Sequence, residues 1–172
     1  MARITTVGFD ADDTLWHNES FYRFTHGRFL ELLADHAAPE RLEERLIAAE
    51  RRNIGHYGYG VKGFTLSMIE TAIEVTEGRV PAAVIAGIMA AGREMLSHPV
   101  ELLPHARAAV EAAAAEFRVL VITKGDLLHQ ERKIAQSGLG DLLHGVEIVS
   151  EKTAEVYRGI FARHGDGPER SL

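Results

Sequence analysis

The 172-residue sequence predicts an α/β fold in which a parallel sheet is interrupted by a long all-helical insertion. Short apolar runs typical of buried strands occur at 4–9, 117–122 and 146–149, and helical patterns separate them. Strands that alternate with helices favour a parallel sheet. The segment between the first two runs is too long for an ordinary crossover, so we interpret it as an insertion.

The insertion consists of four segments whose apolar residues recur with helical period, separated by a Gly- and Tyr-rich loop expected over 53–63. We predict a helical cap over 18–97. Residues 1–17 and 98–172 form the predicted core. Within that core, helices are expected after Pro104, over 126–137 and over 153–164, the last with Thr153 as its N-cap.

The composition excludes several classes of function. Apolar residues make up 46% and charged residues 26%, which is ordinary for a globular chain. A formal net charge of -6 disfavours binding to nucleic acid or to anionic membranes. The chain has no cysteine, which excludes disulfides and thiolate metal sites. No apolar run is long enough for a signal peptide or a membrane span, so we expect a cytoplasmic protein.

An acidic loop follows the first predicted strand and carries Asp10 and Asp12 two positions apart. In open α/β sheets, ligands collect at this end of the strands. One carboxylate of such a pair can attack phosphorus, while the other gives a proton to the leaving oxygen and later activates water. Hard oxygen ligands would select Mg²⁺ to offset the charge of the phosphate. The alternative interpretation is a solvated acidic turn.

The string Asp10-x-Asp12-x-Thr14 after an apolar strand resembles the first motif of the haloacid dehalogenase superfamily, in its phosphatase branch with an inserted helical cap. The resemblance implies a Rossmann-like core, with Asp10 as the nucleophile and Asp12 as the general acid and base. It also implies that the Asp10 carboxylate and the Asp12 carbonyl bind Mg²⁺, and that Thr14 supports the loop.

The same resemblance assigns the later motifs. Thr123, Lys124 and Gly125 at the end of the second strand would hold the phosphate oxygens. Lys152 would neutralise the nucleophile and the transferring phosphoryl group. Lys133 is its main competitor, but beside Arg132 within a predicted helix it suggests a solvated face.

Three further residues are candidates for substrate contact. Trp16 would line the flap beside the nucleophile, and Tyr59 or Lys62 would contact and recognise the leaving group of the substrate. A cap hinge with exposed side chains explains Tyr59 and Lys62 equally well. Residues 58–63 also match the dinucleotide-binding fingerprint, but helices precede them and no strand does, so we reject that interpretation.

The family's fourth, acidic motif is missing from the sequence. Residues 166–172 resemble the turn that leads into the fourth strand, and neither Asp166 nor Glu169 is a convincing substitute. We therefore expect a core that is incomplete at its C-terminus, with an unpaired apolar edge on the first strand. A partner chain, such as a second copy of this chain in a homo-oligomer, would cover such an edge.

The sequence therefore predicts a Mg²⁺-dependent phosphatase that hydrolyses a small phosphorylated metabolite through an aspartyl-phosphate. Three alternatives stay open: a sugar phosphomutase, a haloacid dehalogenase, and a catalytically inactive fragment. The dehalogenase is disfavoured by Asp12, because that branch protonates no leaving alcohol and lacks an acid at this position.

Overall fold

The computed structural model describes residues 3–172. The chain divides into two compact units. The sheet unit comprises the residues up to Glu19 together with Pro99–Leu172, and the helical unit comprises Ser20–His98. The sequence-based division ends the first core segment at 17 rather than 19 and begins the second at 98 rather than 99.

The sheet unit contains three parallel strands, β1 (Thr6–Phe9), β2 (Arg118–Lys124) and β3 (Gly145–Val149), in the order β1-β2-β3. β2 lies in the centre, and residues 119–123 of this strand are all buried. A strand that is paired on both sides and covered on both faces reads as a continuous apolar run, as this one does. The predicted α/β class with a parallel sheet is confirmed.

The free side of β1 is not bare, which corrects the expectation of an unpaired edge. A short 3-10 helix at Pro168–Arg170 brings the last residues alongside the strand, and Ser171 forms a parallel bridge with Thr6. The amide of Leu172 donates to the Thr6 carbonyl, and the amide of Gly8 donates to the Leu172 carbonyl. Residues 170–172 therefore occupy the position expected for the start of a fourth strand.

The helical unit is built from four helices, α1 (Glu19–Leu32), α2 (Pro39–Tyr57), α3 (Val61–Val75) and α4 (Ala82–Ser97). Their inward faces share one apolar core, which includes Phe29, Leu33, Leu42, Leu46, Met68 and Ile88. No helix among residues 3–172 is long and apolar enough to cross a membrane.

The predicted loop over 53–63 is wrong in its extent, because α2 continues to Tyr57 and only residues 58–60 separate it from α3. The extra turn is held by polar contacts to α3. The Asn53 amide is buried and donates to Ser67 Oγ at 3.2 Å and to Glu70 Oε2 at 2.6 Å. These tertiary hydrogen bonds outweigh the weak helix propensity of the segment.

Three helices complete the sheet unit: α5 (Ala106–Ala114), α6 (Leu127–Ser137) and α7 (Ala154–His164). One apolar cluster contains residues of β2 with α5 and α6, and a second contains residues of β2 with α7. The predicted N-cap of α7 is confirmed, since Thr153 Oγ1 accepts from the Val156 amide at 3.2 Å. The carboxyl ends of the strands therefore open toward the loops that begin α6 and α7.

Close packing of α3 on α4 makes a prediction about two glycines. A Cβ on Gly92 would lie 2.3 Å from Thr65 Oγ1, whereas a Cβ on Gly27 in α1 would meet nothing within 4 Å. We expect Gly92→Ala to lower the free energy of unfolding by about 1–3 kcal/mol through overpacking. Gly27→Ala should raise it by about 0.5–1 kcal/mol, because alanine is the better helix former. Urea titration of both variants checks this, and equal effects would contradict the packing at Gly92.

Candidate active site

The acidic loop after β1 is a tight turn closed by backbone hydrogen bonds. The Ala11 carbonyl accepts from the amides of residues 14–16, at 2.7–3.4 Å. Asp13 sits in the left-handed region, with φ of 58°, and its carboxylate accepts from the amides of Asn18 and Glu19 at the start of α1. Asp13 therefore caps the N-terminus of α1, because its carboxylate accepts hydrogen bonds from backbone amides at the start of this helix.

The far side of this turn is also fixed. Leu15 and Trp16 are each 1% exposed, and the Leu103 amide donates to the Leu15 carbonyl at 2.9 Å. This corrects the expectation that Trp16 lines the substrate site. Its ring belongs to the core of the sheet unit, and its indole N–H donates to Asp12 Oδ1 at 2.7 Å.

Asp10 is the exposed acid of the loop, with 46% of its side chain accessible. Its Oδ1 pairs with the ammonium group of Lys152, a residue 142 positions away in the chain. Thr14 Oγ1 donates to Asp10 Oδ2 at 3.4 Å. Three residues singled out in the sequence are therefore brought together at the carboxyl end of the sheet.

The end of β2 supplies the second part of the site. Thr123 is buried and lies next to Lys124, whose ammonium group is 3.7 Å from Glu151 Oε2. Gly125 has φ of 145°, and a Cβ at this position would lie 3.3 Å from the side chain of Gln130. The backbone conformation favours glycine here, and the space for a Cβ is tight.

Asp12 is the less exposed acid, with 25% of its side chain accessible, and donors face both of its oxygens. Besides Trp16, the Lys133 ammonium group donates to Oδ1 at 2.6 Å, and Gln130 Nε2 donates to Oδ2 at 3.0 Å. The solvated face expected for Lys133 is wrong, since the residue is 9% exposed.

No sequence motif marks Gln130, and Lys133 is predicted to be solvated. The helical pattern of α6 nevertheless points to both residues. They are three positions apart on α6 and so share a face with Ile134 and Ser137, all of which are buried. Polar side chains on the buried stripe of an amphipathic helix indicate a polar partner across the interface.

His129 is the titratable group of the site with the most strongly shifted pKa. Burial and, to a smaller extent, the positive charge of Lys133 together lower the pKa of His129 from 6.5 to about 4, although the negative charges of Asp12 and Asp126 oppose the shift. Desolvation and a nearby like charge both disfavour the imidazolium form. His129 is therefore neutral near pH 7.

The two remaining substrate-contact candidates lie in the helical unit. Tyr59 is half-buried in the short link before α3, and Lys62 is exposed in the first turn of that helix. Their proposed contact with a substrate stays a prediction.

The oxygen donors of the loop suit magnesium in type. Within residues 3–172, no group of three or more His, Cys, Asp or Glu side chains is arranged to hold a metal. Mg²⁺ needs fewer protein ligands than that, because it keeps several waters and is commonly bound by one or two carboxylates with substrate phosphate. The accessible Asp10 carboxylate is an oxygen donor of this kind.

The sequence model of one family of hydrolases, the haloacid dehalogenase-like hydrolases, matches residues 4–169. The chain belongs to this family. A haloacid dehalogenase-like hydrolase from Xanthomonas campestris is 49% identical, with a TM-score of 0.92 over 98% of this chain and 71% of that one. The resemblance to the haloacid dehalogenase superfamily is thus confirmed.

More distant members of the family show the fold alone. A predicted β-phosphoglucomutase from Thermotoga maritima is 15% identical, with a TM-score of 0.67 over 98% of this chain and 74% of that one. A predicted hydrolase from Bacillus subtilis, described as bound to magnesium, is 15% identical, with a TM-score of 0.62 over 99% of this chain and 77% of that one. Other matches include a predicted phosphoglycolate phosphatase and 2-haloacid dehalogenases, at 16–18% identity. No curated protein gives a significant match.

The lowered pKa of His129 makes stability depend on pH. Because the folded pKa of about 4 lies below the ordinary 6.5, protonation favours the unfolded chain. The stability that neutral His129 allows is fully present above about pH 6.5 and is lost as the pH falls toward 4. Because the ring is only partly buried, solvent screening reduces this loss to the order of 1 kcal/mol. Unfolding free energies measured from pH 7 to 4 should fall less steeply for His129→Gln than for the unaltered chain. Identical slopes would contradict the shift.

Proposed function

We propose that this family member is a Mg²⁺-dependent phosphatase that hydrolyses a small phosphorylated metabolite through an aspartyl-phosphate. The observation that carries the proposal is the pairing of Asp10 with Lys152 beside Asp12 and the end of β2. A nucleophile, a cation to offset phosphoryl charge and a second acid are the groups that phosphoryl transfer through an enzyme carboxylate needs.

In the first step, a carboxylate oxygen of Asp10 attacks phosphorus, and the bond from phosphorus to the leaving oxygen breaks. Asp12 donates a proton to that oxygen, which departs as an alcohol. In the second step, Asp12 takes a proton from water, whose oxygen attacks phosphorus and releases Asp10 and inorganic phosphate. A bound Mg²⁺, held by the Asp10 carboxylate and the Asp12 carbonyl, would offset the negative charge of the phosphate.

The phosphate oxygens are proposed to bind at the end of β2. The Thr123 hydroxyl and the backbone N–H groups of Lys124 and Gly125 are the donors there. We further propose that the helical unit is the cap implied by the family, with Tyr59 and Lys62 contacting the leaving group. We also propose that the substrate is a small phosphorylated metabolite and that the protein is cytoplasmic. Neither nucleic acid nor a membrane is a proposed partner.

Two of the other candidates have specific support. A phosphomutase is favoured by the structural similarity to a predicted β-phosphoglucomutase, and it would yield an isomerised phosphate ester rather than free phosphate. An inactive fragment is favoured because no group of three or more His, Cys, Asp or Glu side chains among residues 3–172 is arranged to hold a metal. A homo-oligomer has less support than the sequence alone gave it, because residues 170–172 pair with part of the β1 edge.

The nucleophile assignment is tested with Asp10→Asn and a panel of phosphate esters. We expect phosphate release to need added Mg²⁺ and to fall by at least about 10³-fold in Asp10→Asn, because the amide is a poor nucleophile. Asp141→Asn, at an exposed acid of the same unit, is the matched control and should keep full activity.

The results separate the candidates. Isomerised ester without free phosphate would point to the phosphomutase. No turnover by the unaltered chain on any ester, with Asp10→Asn behaving identically, would overturn the enzyme proposal. A phosphorylated species that mass spectrometry detects in the unaltered chain and not in Asp10→Asn would support the aspartyl-phosphate.

A further inference from the structure

Two polar side chains of α6 are buried against the catalytic loop, although neither belongs to the motifs that define the site. Gln130 is 2% exposed and Lys133 is 9% exposed. Burial of an amide or an ammonium group is costly unless its hydrogen bonds are satisfied. An aliphatic residue would fill the same space without that cost, so the contacts that these two side chains make need an explanation.

The Gln130 amide connects the two loops of the site. Its Nε2 lies 3.0 Å from Asp12 Oδ2, 2.8 Å from Thr123 Oγ1 and 3.0 Å from the Lys124 carbonyl, and its two N–H groups are shared among these three acceptors. The Lys124 carbonyl can only accept, so the nitrogen rather than the oxygen of the amide must face it. Because Thr123 Oγ1 accepts from Gln130, its own hydroxyl hydrogen is left to donate elsewhere.

Lys133 fixes the other oxygen of the same carboxyl group. Its ammonium group donates to Asp12 Oδ1 at 2.6 Å and to Asn18 Oδ1 at 2.8 Å. Trp16 also donates to Asp12 Oδ1. With Gln130 on Oδ2, donors on both oxygens fix the plane of the Asp12 carboxyl group.

We infer that Gln130 and Lys133 are positioning residues that hold the Asp12 carboxyl group and the Thr123 hydroxyl in a fixed mutual orientation. The inference rests on the proposed function, in which Asp12 exchanges a proton with the leaving oxygen while Thr123 holds the phosphate. Proton transfer depends on the heavy-atom distance and alignment of donor and acceptor. Lys133 and Gln130 therefore act on the reaction through Asp12 and Thr123.

The inference predicts a dependence on the leaving group that general destabilisation would not produce. A p-nitrophenolate leaves readily without a proton, whereas an alkoxide needs one, so misplacing Asp12 should slow alkyl esters selectively. The experiment compares p-nitrophenyl phosphate with the best alkyl phosphate of the panel, at saturating Mg²⁺. The variants are Lys133→Met, Lys133→Arg and Gln130→Leu. Arg132→Met, at the exposed neighbour on α6, is the matched control.

We expect Lys133→Met and Gln130→Leu to lower kcat/KM, which reports the leaving-group step alone, at least about tenfold more for the alkyl ester than for the aryl ester, within the usual range for general acid catalysis. KM should change little in Lys133→Met, and Lys133→Arg should restore part of the loss. Arg132→Met should leave both rates unchanged. In an Asp12→Asn background, Lys133→Met should no longer change the ratio of the two rates.

Equal losses on both esters, or a ratio that Lys133→Met still changes in the Asp12→Asn background, would overturn the inference. If Lys133→Met does not fold, the Lys133→Arg and Gln130→Leu ratios decide the question by the same criterion. Failure of the proposed function is distinguishable, because it appears in the unaltered chain and in Asp10→Asn before any α6 variant is compared.

Discussion

The parallel pairing of β1 with β2 is the constraint on which the site depends. Phe9 pairs with Val121, so Asp10 leaves the sheet close to Thr123, the next-to-last residue of the neighbouring strand. Thr123 in turn pairs with Ile148, which brings the loop after β3, and with it Lys152, to the same edge. Residues scattered over more than 140 positions therefore meet because parallel strands end on one side.

Two acids so close together repel each other unless cations or hydrogen-bond donors compensate them. The site meets this requirement with two separate lysines, Lys152 for Asp10 and Lys133 for Asp12. The environments differ: 46% of the Asp10 side chain is accessible against 25% for Asp12. An accessible carboxylate suits the proposed attack on phosphorus, and a carboxyl group held on both oxygens suits proton transfer in one fixed direction.

The features of the structure that differ from the sequence-based predictions have a common physical cause. The sequence predicts that Trp16 lines the flap beside the nucleophile and that Lys133 lies on a solvated face, yet both are buried because residues distant in the chain surround them. The loop expected over 53–63 was shortened by hydrogen bonds from Asn53 to α3. The bare edge of β1 was filled by residues 170–172. In each case a tertiary contact outweighed a local pattern.

The sequence by itself determined the fold class, the order of strands and helices, the family, and the candidate roles of Asp10, Asp12, Thr123 and Lys152. These follow from periodicity and from a short motif, both of which are local properties of the chain. Only the tertiary structure decided that Gln130 and Lys133 face the catalytic loop and that Trp16 supports Asp12 from the core. A helix pattern indicates which of its faces is buried, but the neighbour on that face depends on how the whole chain packs.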